Sequence, residues 1–100
     1  MITSYRKTLR NAMHRLNPRI LSLAGCRLAN VDEIKNLSAL TTFNLSGCFD
    51  LTNVDALKHL AGLQSLDLSQ CITLTNMHGI TKLPALQTLN LTGCRLSSVD

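Results

Sequence analysis

Four cysteines, Cys26, Cys48, Cys71 and Cys94, are the residues in this 100-residue chain whose chemistry is easiest to name. Thiols can pair, bind zinc or act as nucleophiles. Their spacings are 22, 23 and 23 residues, and no Cys-x-x-Cys occurs. Such near-equal spacing places one thiol in each unit of a repeat. Repeats that stack like sheet strands lie roughly 4.8 Å apart, which separates the outermost thiols by about 14 Å. A structural zinc ion needs four donors converging at ~2.3 Å, so neither a metal nor another cofactor is expected. Neighbouring thiols fall within reach of a disulfide, but parallel side chains oppose its torsion. The reading that remains is four reduced, buried thiols that fill a packing column and donate weakly to backbone carbonyls. Unpaired thiols fit a reducing compartment, here the cytoplasm.

The elements that place these thiols follow from aligning the chain on them. Five residues before each Cys stand Leu21, Phe43, Leu66 and Leu89, and three before it Leu23, Leu45, Leu68 and Leu91. Eight before it stand Pro18, Leu40, Leu63 and Leu86. Beyond it come Leu28, Leu51, Leu74 and Leu96, then Val31, Val54, Met77 and Val99. Ile34, Leu57 and Ile80, then Leu37, Leu60 and Leu83, complete the set. Leu-x-Leu alternation is the period of a half-buried strand. The later spacing of three suits a 3-10 or short helical arc. Asp32 and Asp55 stand where the arcs begin, a place where a carboxylate is expected to cap free amides. Each unit buries its columns only against its neighbours, so no unit folds alone.

The pattern LxxLxLxxCx(x)LxxVxxLxxLxx resembles the leucine-rich repeat over residues 18–100. Its short period is similar to internalin-type repeats, with Cys where those carry Asn. Leu45-Ser46-Gly47-Cys48 followed by Leu51-Thr52-Asn53-Val54 is similar to repeats of trypanosomatid leucine-rich-repeat proteins. The resemblance implies an α/β solenoid with a parallel sheet on a concave face and 3-10 or short helical arcs outside. Its coils are 18–39, 40–62, 63–85 and a partial 86–100. It also implies that partners dock on the concave face.

Three columns point out from that face: Ile20, Thr42, Ser65 and Thr88; Ser22, Asn44, Asp67 and Asn90; Ala24, Ser46, Ser69 and Thr92. Thr42, Asn44, Ser65, Asp67, Thr88 and Asn90 are the expected partner-binding residues. Asn44→Ala is expected to leave folding nearly unchanged. An enzyme is not expected. His59 and His78 map to the outer arcs and His14 to the N-terminus, away from the hydroxyls of the strand face. Asp67 has no second carboxylate in its column for paired acid–base work. Gly25, Gly47 and Gly93 each stand directly before the Cys of their own coil, in the turn, which makes them turn residues rather than a phosphate loop.

Charge divides the chain. Residues 1–31 carry six basic and no acidic side chains, whereas residues 32–100 carry four basic and six acidic ones. Within residues 1–17, Ile2, Tyr5, Leu9, Ala12, Met13 and Leu16 form one helical stripe, with Arg6, Lys7, Arg10 and His14 mainly opposite. Pro18 ends the pattern. Three readings stay open: an N-terminal helical cap on the first coil, a mitochondrial presequence, since the segment is amphipathic, Arg-bearing and acid-free, or a membrane-surface or partner helix. No apolar run is long enough for a membrane span. At the other end, Asp100 falls where an arc should begin. A fragment of a longer array or a partial gene product is expected, with self-association through the uncapped edge as the alternative. The reading as a whole is a non-enzymatic protein-interaction scaffold with an unidentified protein partner. Neither specific nucleic acid nor membrane binding is expected of it.

Overall fold

A computed structural model describes residues 16–34, 37–75 and 77–95. Four three-residue strands, β1 (Ile20–Ser22), β2 (Thr42–Asn44), β3 (Ser65–Asp67) and β4 (Thr88–Asn90), form one parallel sheet in chain order. The register joins Leu21, Phe43, Leu66 and Leu89 into one row, with Ile20, Thr42, Ser65 and Thr88 before it and Ser22, Asn44, Asp67 and Asn90 after it. These are the columns that the cysteine alignment produces. A one-residue slip would turn each buried Leu outward, so burial pins the register.

The strands return through 3-10 arcs, η1 (Asp32–Ile34), η2 (Asp55–His59) and η3 (Ile80–Lys82). Between sheet and arcs lies one core. Phe43, Leu45, Leu51, Leu57, Leu63, Leu66, Leu68 and Leu74 are fully buried in it, and no polar or charged residue is buried among the described ones. Val31, Ile34, Leu37 and Leu40 close the lower coil, and Ile80 and Leu83 the upper one. The expected N-terminal cap lies almost wholly outside the described residues, as do Leu96, Val99 and Asp100. Leu16, a member of its apolar stripe, is exposed, and Asn17 leaves by a left-handed turn at φ 43° before Pro18.

The arc starts correct one expectation. Asp32 and Asp55 do not cap. Their own amides donate to Asn30 Oδ1 at 3.1 Å and Asn53 Oδ1 at 2.8 Å. The N-cap of η2 is Val54, which offers no side-chain bond. The residue two places earlier makes the Asx turn that bends the chain into the arc, and Asp55 only places its charge in the first turn.

The thiols form a ladder. Cys48 Sγ donates to the Leu23 carbonyl at 3.2 Å, Cys71 Sγ to Leu45 at 3.1 Å and Cys94 Sγ to Leu68 at 3.0 Å. Each carbonyl also accepts the amide of its own coil's Cys. One oxygen thus ties a turn to itself and to the coil above. All four cysteines are unpaired. The expectation of four buried thiols needs correction at the ends: Cys48 and Cys71 are buried, whereas Cys26 and Cys94 are half-buried because each lacks a described coil on one side. A thiol reagent should therefore modify Cys26 and Cys94 in the native protein, and Cys48 and Cys71 only after denaturation. Mass mapping of the adducts reads this directly.

Burial, opposed by hydrogen bonding to backbone, pushes the Cys48 and Cys94 thiols up and that of Cys71 to about 11, against an ordinary 9.0. Above pH 9 the unfolded chain therefore holds fewer protons than the folded one. The stabilisation is complete below 9 and is lost as pH rises toward 11. Urea midpoints should fall across that interval, and less steeply in Cys71→Ala than in the wild type. Parallel slopes would remove Cys71 from the effect.

Candidate functional site

The strand face is built by alternation. While Phe43 and Leu66 turn into the core, Thr42, Asn44, Ser65 and Asp67 are half-buried on the other side, and Thr88 and Asn90 are exposed at the upper edge. All six expected partner-binding residues thus lie on one face, as two adjacent rows. Ile20 extends the first row as a 72% exposed apolar residue at the lower edge.

The second row also has a structural duty that the pattern does not reveal. Asn44 Oδ1 accepts the Ser46 amide at 2.9 Å, Asp67 Oδ1 the Ser69 amide at 2.9 Å, and Asn90 Oδ1 the Thr92 amide at 3.0 Å. Ser22 Oγ does the same less closely for Ala24, at 3.4 Å. Each is an Asx- or Ser-type turn that ends the strand. Asn44→Ala therefore removes a hydrogen bond and should cost about 0.5–1.5 kcal/mol, which corrects the expectation of a neutral change. One oxygen of each Asx side chain is committed to the turn, leaving its other polar atom for display.

These turns lead into a left-handed position. Gly25, Gly47 and Gly93 occupy it at φ 74°, 70° and 82°, as turn residues should. The third coil has Gln70 there instead, at φ 62°. Its carboxamide lies over the next coil, where a Cβ on Gly93 would meet it at 2.5–2.8 Å. Left-handed backbone costs an L-residue roughly 1–2 kcal/mol, and glycine's extra freedom in the unfolded chain gives back about 0.4–1 kcal/mol. Gln70→Gly should thus raise stability by about 0.5–1 kcal/mol in chemical denaturation. A destabilised variant would mean that the carboxamide contributes more than the turn loses.

His59 lies on η2 and His78 just before η3, across the core from the strand face. Among the described residues, no three His, Cys, Asp or Glu side chains gather where they could hold a metal ion. What the sheet offers is a polar, preformed surface.

Parallel strands stacked one per coil, closed by 3-10 arcs over a leucine core, define a repeat solenoid. The Leucine Rich Repeat family model matches residues 85–100, which contain β4 and the last of the four cysteines, and this match supports a leucine-rich-repeat reading of the solenoid. Domains of this kind are generally protein-interaction modules and typically non-enzymatic. The chain matches no curated protein and no solved structure.

Proposed function

We propose that the chain is a protein-interaction scaffold whose concave strand face engages a protein partner through Thr42, Asn44, Ser65, Asp67, Thr88 and Asn90. The carrying observation is their in-register display on one side of a sheet whose other side is locked by the core. A rigid face loses little entropy on binding. Unpaired thiols are consistent with action in a reducing compartment, and the cytoplasm is the proposed location.

The face is small. Four strands at ~4.8 Å and three residues at ~3.3 Å give a patch of roughly 14 by 10 Å. Even doubled for side-chain relief, this is well short of the ~800 Å² per partner of a standard interface. Further area is therefore required, and β4 supports one source. All three of its residues are exposed, and among the described residues the Leu91 and Gly93 amides have no acceptor, unlike those of Leu68 and Gln70. Further coils, or a second copy pairing there, would extend the sheet.

A photo-crosslinking residue at Ser65 would trap the partner for identification. The purified partner would then be titrated against Thr42→Lys and Asp67→Asn, the latter keeping the turn oxygen. At least tenfold weaker binding at unchanged melting temperature is expected. Unchanged affinity in both variants would move the interface off this face.

A further inference from the structure

The residues that directly follow the four cysteines are Arg27, Phe49, Ile72 and Arg95. All four are exposed, Phe49 by 57% and Ile72 by 42%. Each directly follows a rung of the stacked thiol ladder, which sets the four in register as a column on the turns that leave the strand face. Every core position is already filled without them: Leu51 and Leu74, the next apolar residues of their coils, are fully buried. Phe49 is also one of only three aromatic residues in the chain. Single exposed apolar residues are ordinary, but two on adjacent coils make a patch.

The two central turns are built differently from the outer ones. Cys26 and Cys94 are followed by Leu two residues later, whereas Cys48 and Cys71 are followed by Leu after three. The additional residues are Asp50 and Thr73. Thr73 Oγ1 lies 2.7 Å from the Phe49 carbonyl and 2.8 Å from that of Leu51, so it fastens the upper turn to the lower one. The apolar pair is thereby held on braced backbone. Its ends are cationic: the column has Arg27 below and Arg95 above, and neither forms an ion pair with a described residue. Arginine at such a place suits a carboxylate, which it grips with two parallel hydrogen bonds. Asp50 beside Phe49 disfavours a carboxylate at the centre, which leaves the two ends.

We propose that the column Arg27–Phe49–Ile72–Arg95 is a second interaction surface, which takes an extended peptide segment with an apolar residue midway between two carboxylates. The dimensions agree. Three coil spacings of ~4.8 Å put the arginines about 14 Å apart, and four strand rises of ~3.4 Å put the acids of Glu-x-Leu-x-Glu about 14 Å apart with Leu on the same side. This surface goes beyond the concave-face reading and lies next to it, where the area that face lacks would be found.

The test uses two fluorescent peptides, Ser-Glu-Ser-Leu-Ser-Glu-Ser and the same peptide with Lys for Glu, titrated by anisotropy against the full chain. The glutamate peptide should bind at least tenfold tighter. The double variant Phe49→Ser/Ile72→Ser should lose at least tenfold in affinity while melting like the wild type, since both side chains are exposed. Arg27→Glu/Arg95→Glu should reverse the preference toward the lysine peptide. Lys58→Gln, on η2 across the core, should leave peptide binding unchanged, which separates this surface from a general effect of net charge. Equal binding of the two peptides, or full affinity in the Phe49→Ser/Ile72→Ser variant, would overturn the proposal. So would binding to phosphatidylserine vesicles with none to either peptide, which would make the column a lipid-facing surface.

Discussion

Leu68→Ala is expected to remove about 2–5 kcal/mol of unfolding free energy, the range for a large-to-small change in a packed core. Leu68 is fully buried in the column of Leu23, Leu45 and Leu91. Its carbonyl accepts both the Cys71 amide and the Cys94 thiol, and its amide donates to Asn90 at 2.8 Å. A cavity there loosens the third coil against both neighbours. In a solenoid, stability is close to a sum of coil and interface terms, so one residue weakens two interfaces together. Against the ~5–15 kcal/mol of an ordinary domain, the loss is a large share. Urea denaturation should show the midpoint falling well below that of Asn44→Ala, which loses one turn hydrogen bond. Equal midpoints would mean that Leu68 does not face the core.

Gly79→Ala is the second large effect, and its cause is steric. Gly79 has φ −67° and ψ −30°, a conformation any residue adopts. A Cβ there would overlap the Val54 carbonyl oxygen and sit 2.8 Å from both the Val54 carbonyl carbon and Asp55 Cα. These are backbone atoms at the start of η2, and they cannot rotate away. The start of η3 would have to lift off the coil below, taking Ile80 and Leu83 partly out of the core. Overpacking of this kind typically costs about 1–3 kcal/mol, and the rigid neighbours put Gly79→Ala at the upper end. Gly62→Ala is the matched control. Its nearest neighbours, the Leu40 and Ser38 carbonyl oxygens, stand at 3.9 and 4.0 Å, so the methyl fits. Thermal melts should show a clear loss for Gly79→Ala and little change for Gly62→Ala. A Gly79→Ala protein that melts like the wild type would show that the arcs are not so closely stacked.

The sheet was legible from sequence because strand burial leaves a two-residue period and stacking repeats it with each coil. Leu21, Phe43, Leu66 and Leu89 could be aligned without coordinates, and the three-residue spacing of Val54, Leu57 and Leu60 marked the arc. The polar rows were legible as positions but not as duties. Nothing in the letters Asn44, Asp67 and Asn90 separates an oxygen held by a turn amide from one displayed to a partner. Gln70 did leave a signal, since it breaks the column of Gly25, Gly47 and Gly93. Gly79 left none, because its need is set by how closely two backbones approach. The exposed pair Phe49 and Ile72 was visible as apolar letters outside every repeat column. Its exposure is set by the turn geometry, which leaves no period in the sequence. The capping role of Asp32 and Asp55 was misplaced by two residues, for Asn30 and Asn53 reach the same turn from the other side.

The strand face, the thiol ladder and the turn column all depend on the stacked parallel register. Trans-hydrogen-bond couplings in NMR read that register bond by bond. The stacked register requires a coupling from the Leu45 amide to the Asp67 carbonyl and from the Leu68 amide to the Asn90 carbonyl, each across a 2.8 Å bond. Couplings displaced by one residue, or a Leu45 amide bonded within its own coil, would contradict it.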